Sequence, residues 1–169
     1  HFQIIYKRHV LINTHLFDFD KVATSAAWIA AIEEDVDIEN EESGEALEYN
    51  IQTFVYQRRK ALDLGLFDDF VARKWPKNVI RCKGICYFGD EKDMCYVFEQ
   101  AGKQVQIRDA GQWYATMPAE ELKKMMDENP GLRRDWDEKY GDRMQKLVFI
   151  GQNLDKDAIT EQLDACLMD

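Results

Sequence analysis

Residues Asn78 to Asp109 read NVIRCKGICYFGDEKDMCYVFEQAGKQVQIRD, and the fold is decided there. From Asn78 to Phe88 the side chains alternate. Ile80, Cys82, Gly84, Cys86 and Phe88 make one small, apolar face, and Val79, Arg81, Lys83, Ile85 and Tyr87 make a mixed one, which predicts a strand. GDEKD (Gly89 to Asp93) is a turn. Met94 to Gln100 and Gln104 to Asp109 are two further strands, and the AGK link between them is short enough to force an antiparallel hairpin.

Working outward, Tyr49 to Gln57 is β-rich. Asp63 is placed to cap a helix with Leu66, Phe67, Phe70 and Val71 on one face, ended by Trp75 and Pro76. Downstream of the hairpin, AGQWYATMP leads into a short helix near Pro118 to Glu128. It is expected to bury Leu122, Met125 and Met126 and to stop at Asn129, Pro130 and Gly131. After a polar loop, Leu147 to Gly151 is an apolar strand. Asp155 opens a last helix with Ile159, Leu163, Cys166 and Leu167 on one face. The order β-α-β-β-β-α-β-α predicts an α+β domain: a mainly antiparallel sheet of about five strands, with helices packed on one face.

A chain of 169 residues, 46% hydrophobic, supports a proper core and is neither collagen-like nor low-complexity. No apolar run of membrane-spanning length occurs, and Lys7, Arg8 and His9 interrupt the N-terminal HFQIIYKRHV, so a cytoplasmic protein without membrane contact is expected. The net charge of −10 is local. Nine acids and no Lys or Arg lie between Glu33 and Glu48, leaving the remainder near neutral and without the basic excess that strong nucleic-acid binding needs. Residues 33–48 therefore read as a flexible acidic linker. It separates residues 1–32, the trailing end of something larger, from the main domain at 49–169. Asp20 can cap a helix from Lys21 to Glu33, a helical N-terminal extension. Its apolar face needs a partner, and a homodimer through this helix is one way to cover it.

Cys82 and Cys86 share a strand face about 13 Å apart, too far to hold one zinc ion or form a disulfide, and read as buried structural thiols. Cys95 on the next strand could approach one of them. This keeps open a thiol- or metal-dependent small enzyme using Cys82, Cys86 or Cys95. His1, His9 and His15 all precede the linker, so the main domain lacks a histidine for a nucleophilic triad. Asp35, Asp37 and Glu39 have the opening spacing of a calcium loop, but Asn40 stands where that loop needs glycine. QRRK (Gln57 to Lys60), Arg133 and Arg134, with Tyr56, Trp113, Tyr114 and Trp136, give a further alternative, a weak nucleic-acid-binding module. No phosphate-cradling glycine loop of the G-x-x-x-x-G-K-[ST] or G-x-G-x-x-G kind is present.

FVYQRRKALD (Phe54 to Asp63), VIRCKGICYF (Val79 to Phe88), AGQWYATMP (Ala110 to Pro118) and GDRMQKLVFIGQNLDKDAITEQLDACL (Gly141 to Leu167) together resemble the C-terminal domain of the CobW family. These are P-loop GTPases that act as metal chaperones, linked to zinc homeostasis and, in some members, to cobalt delivery for cobalamin synthesis. The resemblance runs in order from about Tyr49 to Met168, and THLFDFDKVATSAAWI (Thr14 to Ile29) looks like the segment where the GTPase domain ends. It implies that GTP, magnesium and zinc or cobalt belong to the full-length protein. The P-loop, magnesium-binding elements, guanine-recognition motif and cysteine metal motif of the family lie in the N-terminal GTPase domain, and none is found in this sequence. No catalytic, cofactor or metal residue is carried over, and this chain alone is expected not to be an enzyme. In many members the linker is rich in histidine; here it is acidic.

The implied role is a regulatory or client-facing domain whose partners are its own N-terminal GTPase domain and a metalloprotein client. The candidate contact set is Arg58, Arg59, Lys60, Lys83, Trp113, Trp136, Asp142 and Arg143. Each has a plain structural reading too: Trp113 and Trp136 as core, Asp142 with Arg143 as a turn and ion pair.

Overall fold

Alternation in β2 (Val79–Cys86) and the tight link between β3 (Met94–Ala101) and β4 (Gln104–Gln112) produce the expected antiparallel ladders, with Arg81 opposite Ala101 and Ala101 opposite Gln104. The structure is a computed structural model and describes residues 50–169. The helix expected at Lys21 to Glu33, the acidic linker and dimerisation through that helix fall outside the described residues. β1 (Ile51–Arg58) precedes α1 (Leu64–Asp69), which continues as a π-helical turn over Phe70–Lys74. After β4 come α2 (Ala119–Glu128), α3 (Pro130–Arg134), β5 (Gln145–Gln152) and α4 (Lys156–Asp164). The five strands lie in the order β1-β5-β2-β3-β4, and every neighbouring pair is antiparallel.

Local chemistry sets the helix starts. Asp63 accepts the Leu66 N–H at 2.8 Å and Asp155 accepts the Ala158 N–H at 3.0 Å, each satisfying a donor that a helix N-terminus leaves orphaned. Phe67 and Phe70, at and just beyond the end of α1, join Ile159 and Leu163 of α4 against Phe54, Cys82, Cys86, Phe98, Leu147 and Phe149 of the sheet. Phe54 stacks on Phe149 at 5.0 Å, and Phe67 meets Phe98 edge-on at 5.3 Å. Burying such side chains stabilises the fold by about 1.5–3 kcal/mol apiece. Gly84 has a packing reason: a Cβ there would stand 1.9 Å from the Lys146 carbonyl oxygen, so the β2–β5 approach excludes any larger residue.

Three local expectations are corrected. A bulge between Val79 and Arg81 turns Val79 into the core, 4% exposed, and leaves Ile80 49% exposed, so Ile80 does not share the Cys82 face. α2 forms where its periodicity places it, but Leu122, Met125 and Met126 are half-buried, and α2 contains no fully buried residue. Pro130 opens a second short helix, α3, rather than only closing α2, because proline at the first helical position loses no hydrogen bond.

The opposite sheet face is backed differently. Ile85, Tyr87, Cys95, Val97, Ala110, Trp113 and Met144 cluster with Ala61, with Tyr114 of a 3-10 turn packed against them and no residue from α1 to α4 among them.

Candidate interaction surface

The chain leaves β4 at Gln112 and returns to β5 at Gln145, and the excursion between them carries α2 and α3. Its two ends are tied together by one carboxylate. Asp142, 7% exposed, accepts the Tyr114 N–H on one oxygen and the Ala115 N–H on the other, both at 2.9 Å. Burial pushes this carboxyl above the usual carboxylate range, against backbone donors that favour its charged form. Gly141, at φ +66, adopts a left-handed conformation. A Cβ there would come 2.5 Å from the Ala115 Cβ, so glycine lets the two ends meet with Trp136 against them.

Arginines complete the clasp by capping carbonyls. Arg59 donates to the carbonyls of Gly141 and Arg143 at 3.3 Å each and of Asp135 at 2.6 Å. Arg143 donates to the Lys92 carbonyl at 2.8 Å and pairs with Asp93 at 2.8 Å. Trp113, 2% exposed, donates its indole N–H to the Met94 carbonyl at 3.0 Å and packs edge-on against Tyr87 at 5.8 Å. Gln145, fully buried, accepts the Tyr87 N–H and donates to the carbonyls of Tyr87 and Lys60.

Five of the eight contact candidates, Arg59, Trp113, Trp136, Asp142 and Arg143, thus meet in one clasp. Lys60 flanks it through its carbonyl, with an exposed side chain. The other two lie elsewhere. Arg58 holds Asp164 of α4 at 2.9 Å and lies over the Tyr56 ring, while Lys83 pairs with Glu99 at 2.8 Å on the side of the sheet opposite the helix-backed core. Sequence reading missed Gln145, Tyr87 and Gly141 because nothing local marks them: Gln145 meets Lys60, Tyr87 meets Arg59 and Gly141 meets Ala115, each pair far apart along the chain.

The cysteines do not fit a metal or nucleophile site. Cys82, Cys86 and Cys95 are fully buried, and burial pushes all three thiols up, Cys86 to about 12, away from the reactive thiolate. Among the described residues no group of three or more His, Cys, Asp or Glu is arranged to hold a metal ion, and no helix is long and apolar enough to cross a membrane.

Known proteins resemble this chain along the same span. "Zinc-regulated GTPase metalloprotein activator 1" of Dictyostelium discoideum is 27% identical over 161 residues, covering 94% of this chain and 32% of that protein. Among solved structures, the zinc(II)-bound YjiA GTPase from E. coli aligns at a TM-score of 0.47 and 13% identity, over 72% of this chain and 31% of that one. A zinc(II)-bound triple mutant of the YjiA GTPase aligns at 0.45 and 13% identity, over 70% and 30%. This chain spans about a third of the length of these proteins. The family model described as "Cobalamin synthesis protein cobW C-terminal domain" matches residues 51–167, from the first residue of β1, through the clasp, to the turn after α4. The chain belongs to that family of cobW C-terminal domains.

Proposed function

We propose that this chain is the non-catalytic regulatory domain of a cytoplasmic, GTP-dependent zinc or cobalt chaperone. It docks on its own GTPase domain and on a metalloprotein client, and the GTPase part of the full-length protein handles GTP, magnesium and the carried metal. One observation carries the docking role: the excursion between Tyr114 and Asp142 is fixed at its root by hydrogen bonds, while α2 contains no fully buried residue and has α3 as its main packing partner. An amphipathic helix held in this way offers Leu122, Met125 and Met126, each half-buried, to a groove on another domain. The family membership and the zinc-regulated GTPase named among the relatives support a GTPase domain as the partner.

The rival readings have less behind them. A thiol enzyme needs an accessible thiolate, and the three strand cysteines are enclosed. A nucleic-acid binder needs free cations, and Arg58 and Arg59 already serve Asp164 and backbone carbonyls.

Calorimetric titration of this chain with its own GTPase domain, loaded with GTP or with GDP, tests the docking role. Binding should differ between the two nucleotide states and fall at least tenfold for Met126→Glu with thermal stability retained. Absence of binding in both states removes the docking role. Tight zinc binding by this chain alone removes its metal-free character.

A further inference from the structure

The sheet ends on β4, and the outer edge of that strand is open. Along Gln104 to Asp109 five of six residues are exposed and Ile107 is half-buried, and no described segment pairs with the strand on the side away from β3. The β3–β4 register shows which backbone groups face outward. Gly102, at φ +58, and Lys103 form a two-residue turn that closes on the pair Ala101 and Gln104. A pair that closes such a turn exchanges hydrogen bonds, and bonded and unbonded pairs alternate from there. Gln104, Gln106 and Arg108 therefore direct their N–H and C=O groups to β3, and Val105, Ile107 and Asp109 turn theirs to the open edge. Past Asp109 the ladder shifts: Tyr96 faces Asp109 and Cys95 faces Gly111, so Ala110 is a bulge, which ends regular pairing. Sheet edges are commonly blunted by proline, by a bulge or by a covering element, and Gln104 to Asp109 contains neither proline nor bulge.

We propose that this edge is a self-association surface, on which β4 of a second copy pairs antiparallel and continues the five-stranded sheet into a second one. The strand is self-complementary about Gln106. A two-fold axis at Gln106 sets Val105 opposite Ile107 of the second copy, Gln104 opposite Arg108, and Lys103 opposite Asp109. At each Val105–Ile107 pair both residues present outward-facing backbone groups, so each pair exchanges two hydrogen bonds. Apolar side chains and opposite charges set across from one another are favourable, and like charges are not. Asp109 accepts the Gly111 N–H through one carboxylate oxygen at 2.6 Å, which holds it at the end of the regular edge. An axis at Ile107 instead would set Val105 against Asp109 and draw the bulged Ala110 into pairing with Gln104, so the Gln106 register is preferred. The other edge strand lacks this symmetry, because β1 carries Arg58 and no acid. Six residues on each side make a small interface, so the dimer is weak and reversible. The proposal rests on no part of the α2 docking role.

Sedimentation velocity of the full chain, from low micromolar to near-millimolar concentration, tests this. The mass should rise from 19.8 kDa towards twice that value. Lys103→Glu and Asp109→Lys should each weaken association several-fold, because each sets like charges opposite one another. An equal mixture of the two variants restores both opposite-charge pairs and should associate as well as wild type. Asp109→Lys also removes the acceptor of the Gly111 N–H, so Val105→Lys, at an exposed edge position, serves as a second block and should weaken association several-fold with thermal stability retained. Register is read separately. Gln104 and Gln106 are both exposed, yet under oxidised glutathione Gln106→Cys should form an intermolecular disulfide several-fold faster than Gln104→Cys. Only position 106 lies on the axis, where a pair without backbone hydrogen bonds has its Cα atoms about 4.5 Å apart, within disulfide reach. Three outcomes overturn the proposal: a mass that stays at one chain throughout, a dimer that Lys103→Glu and Val105→Lys leave intact, or equal disulfide rates at positions 104 and 106.

Discussion

Phe54, Phe149, Cys82 and Gln100 form one row across the sheet, and Val55, Val148, Lys83 and Glu99 form the row one residue along, on the opposite side. The first row is sealed by aromatic side chains and by α1 and α4. The second ends in an ion pair whose side chains keep 20% of their surface exposed. A step of one residue therefore separates a surface that supplies cohesion from one that supplies charge, because strand side chains alternate. The clasp at Asp142 is a third kind of construction, buried but polar. Substitutions in these three places should differ in size and in pH dependence.

The largest effect belongs to the helix-backed row. Phe149 stacks on Phe54 at 5.0 Å and on Trp75 at 5.7 Å with no exposed surface, so Phe149→Ala removes a ring from the centre of a close-packed cluster. Urea unfolding should show a loss of about 3–5 kcal/mol. A loss under about 1 kcal/mol would mean that this face does not hold the fold together.

Next comes the clasp. Asp142→Asn keeps the shape but presents an amide NH2 to one of two buried backbone donors, leaving that N–H without an acceptor. The expected loss is about 1–3 kcal/mol. Burial raises the Asp142 carboxyl, so the folded chain binds its proton more tightly than the unfolded chain does. Wild-type stability attributable to this group is then greatest below the ordinary aspartate range and declines as pH rises through the folded value. The deficit of Asp142→Asn should accordingly be larger in acid than at neutrality.

How much of this is legible in the sequence follows from the separation of the partners. Alternation predicts β2, the three-residue AGK link predicts the β3–β4 hairpin, and Asp63 and Asp155 mark their helices, because each signal lies within a few residues of its effect. The bulge at Val79 is imposed by pairing with Gly151 and Ile150, some 70 residues downstream, and leaves no local trace. Asp142 and its donors are 27 and 28 residues apart, and Arg58 and Asp164 are 106 apart. Choosing exposed-looking charges and tryptophans found five clasp members for a different reason from the one that unites them: long polar side chains are the groups that reach carbonyls across a loop closure. The half-buried state of Leu122 was illegible because periodicity shows which face of a helix is apolar and not whether anything covers it.

The smallest effect belongs to the Lys83–Glu99 row, and its pH dependence has the opposite sign. Partial burial opposes ionisation of Glu99, but the Lys83 ammonium and the Arg108 guanidinium outweigh it and hold this carboxyl below its usual range. The unfolded chain therefore binds the proton more tightly. The stabilisation is present above the ordinary glutamate value of about 4.3 and is lost as pH falls through the lower folded value. At neutral pH Glu99→Gln should cost under about 1 kcal/mol, since the pair is partly solvated and screened. The variant and wild type should converge in acid, where Asp142→Asn and wild type diverge. Parallel urea titrations of the two variants from pH 7 to pH 3 read both slopes. Slopes of the same sign would show that the Lys83–Glu99 row and the clasp are not electrostatically distinct.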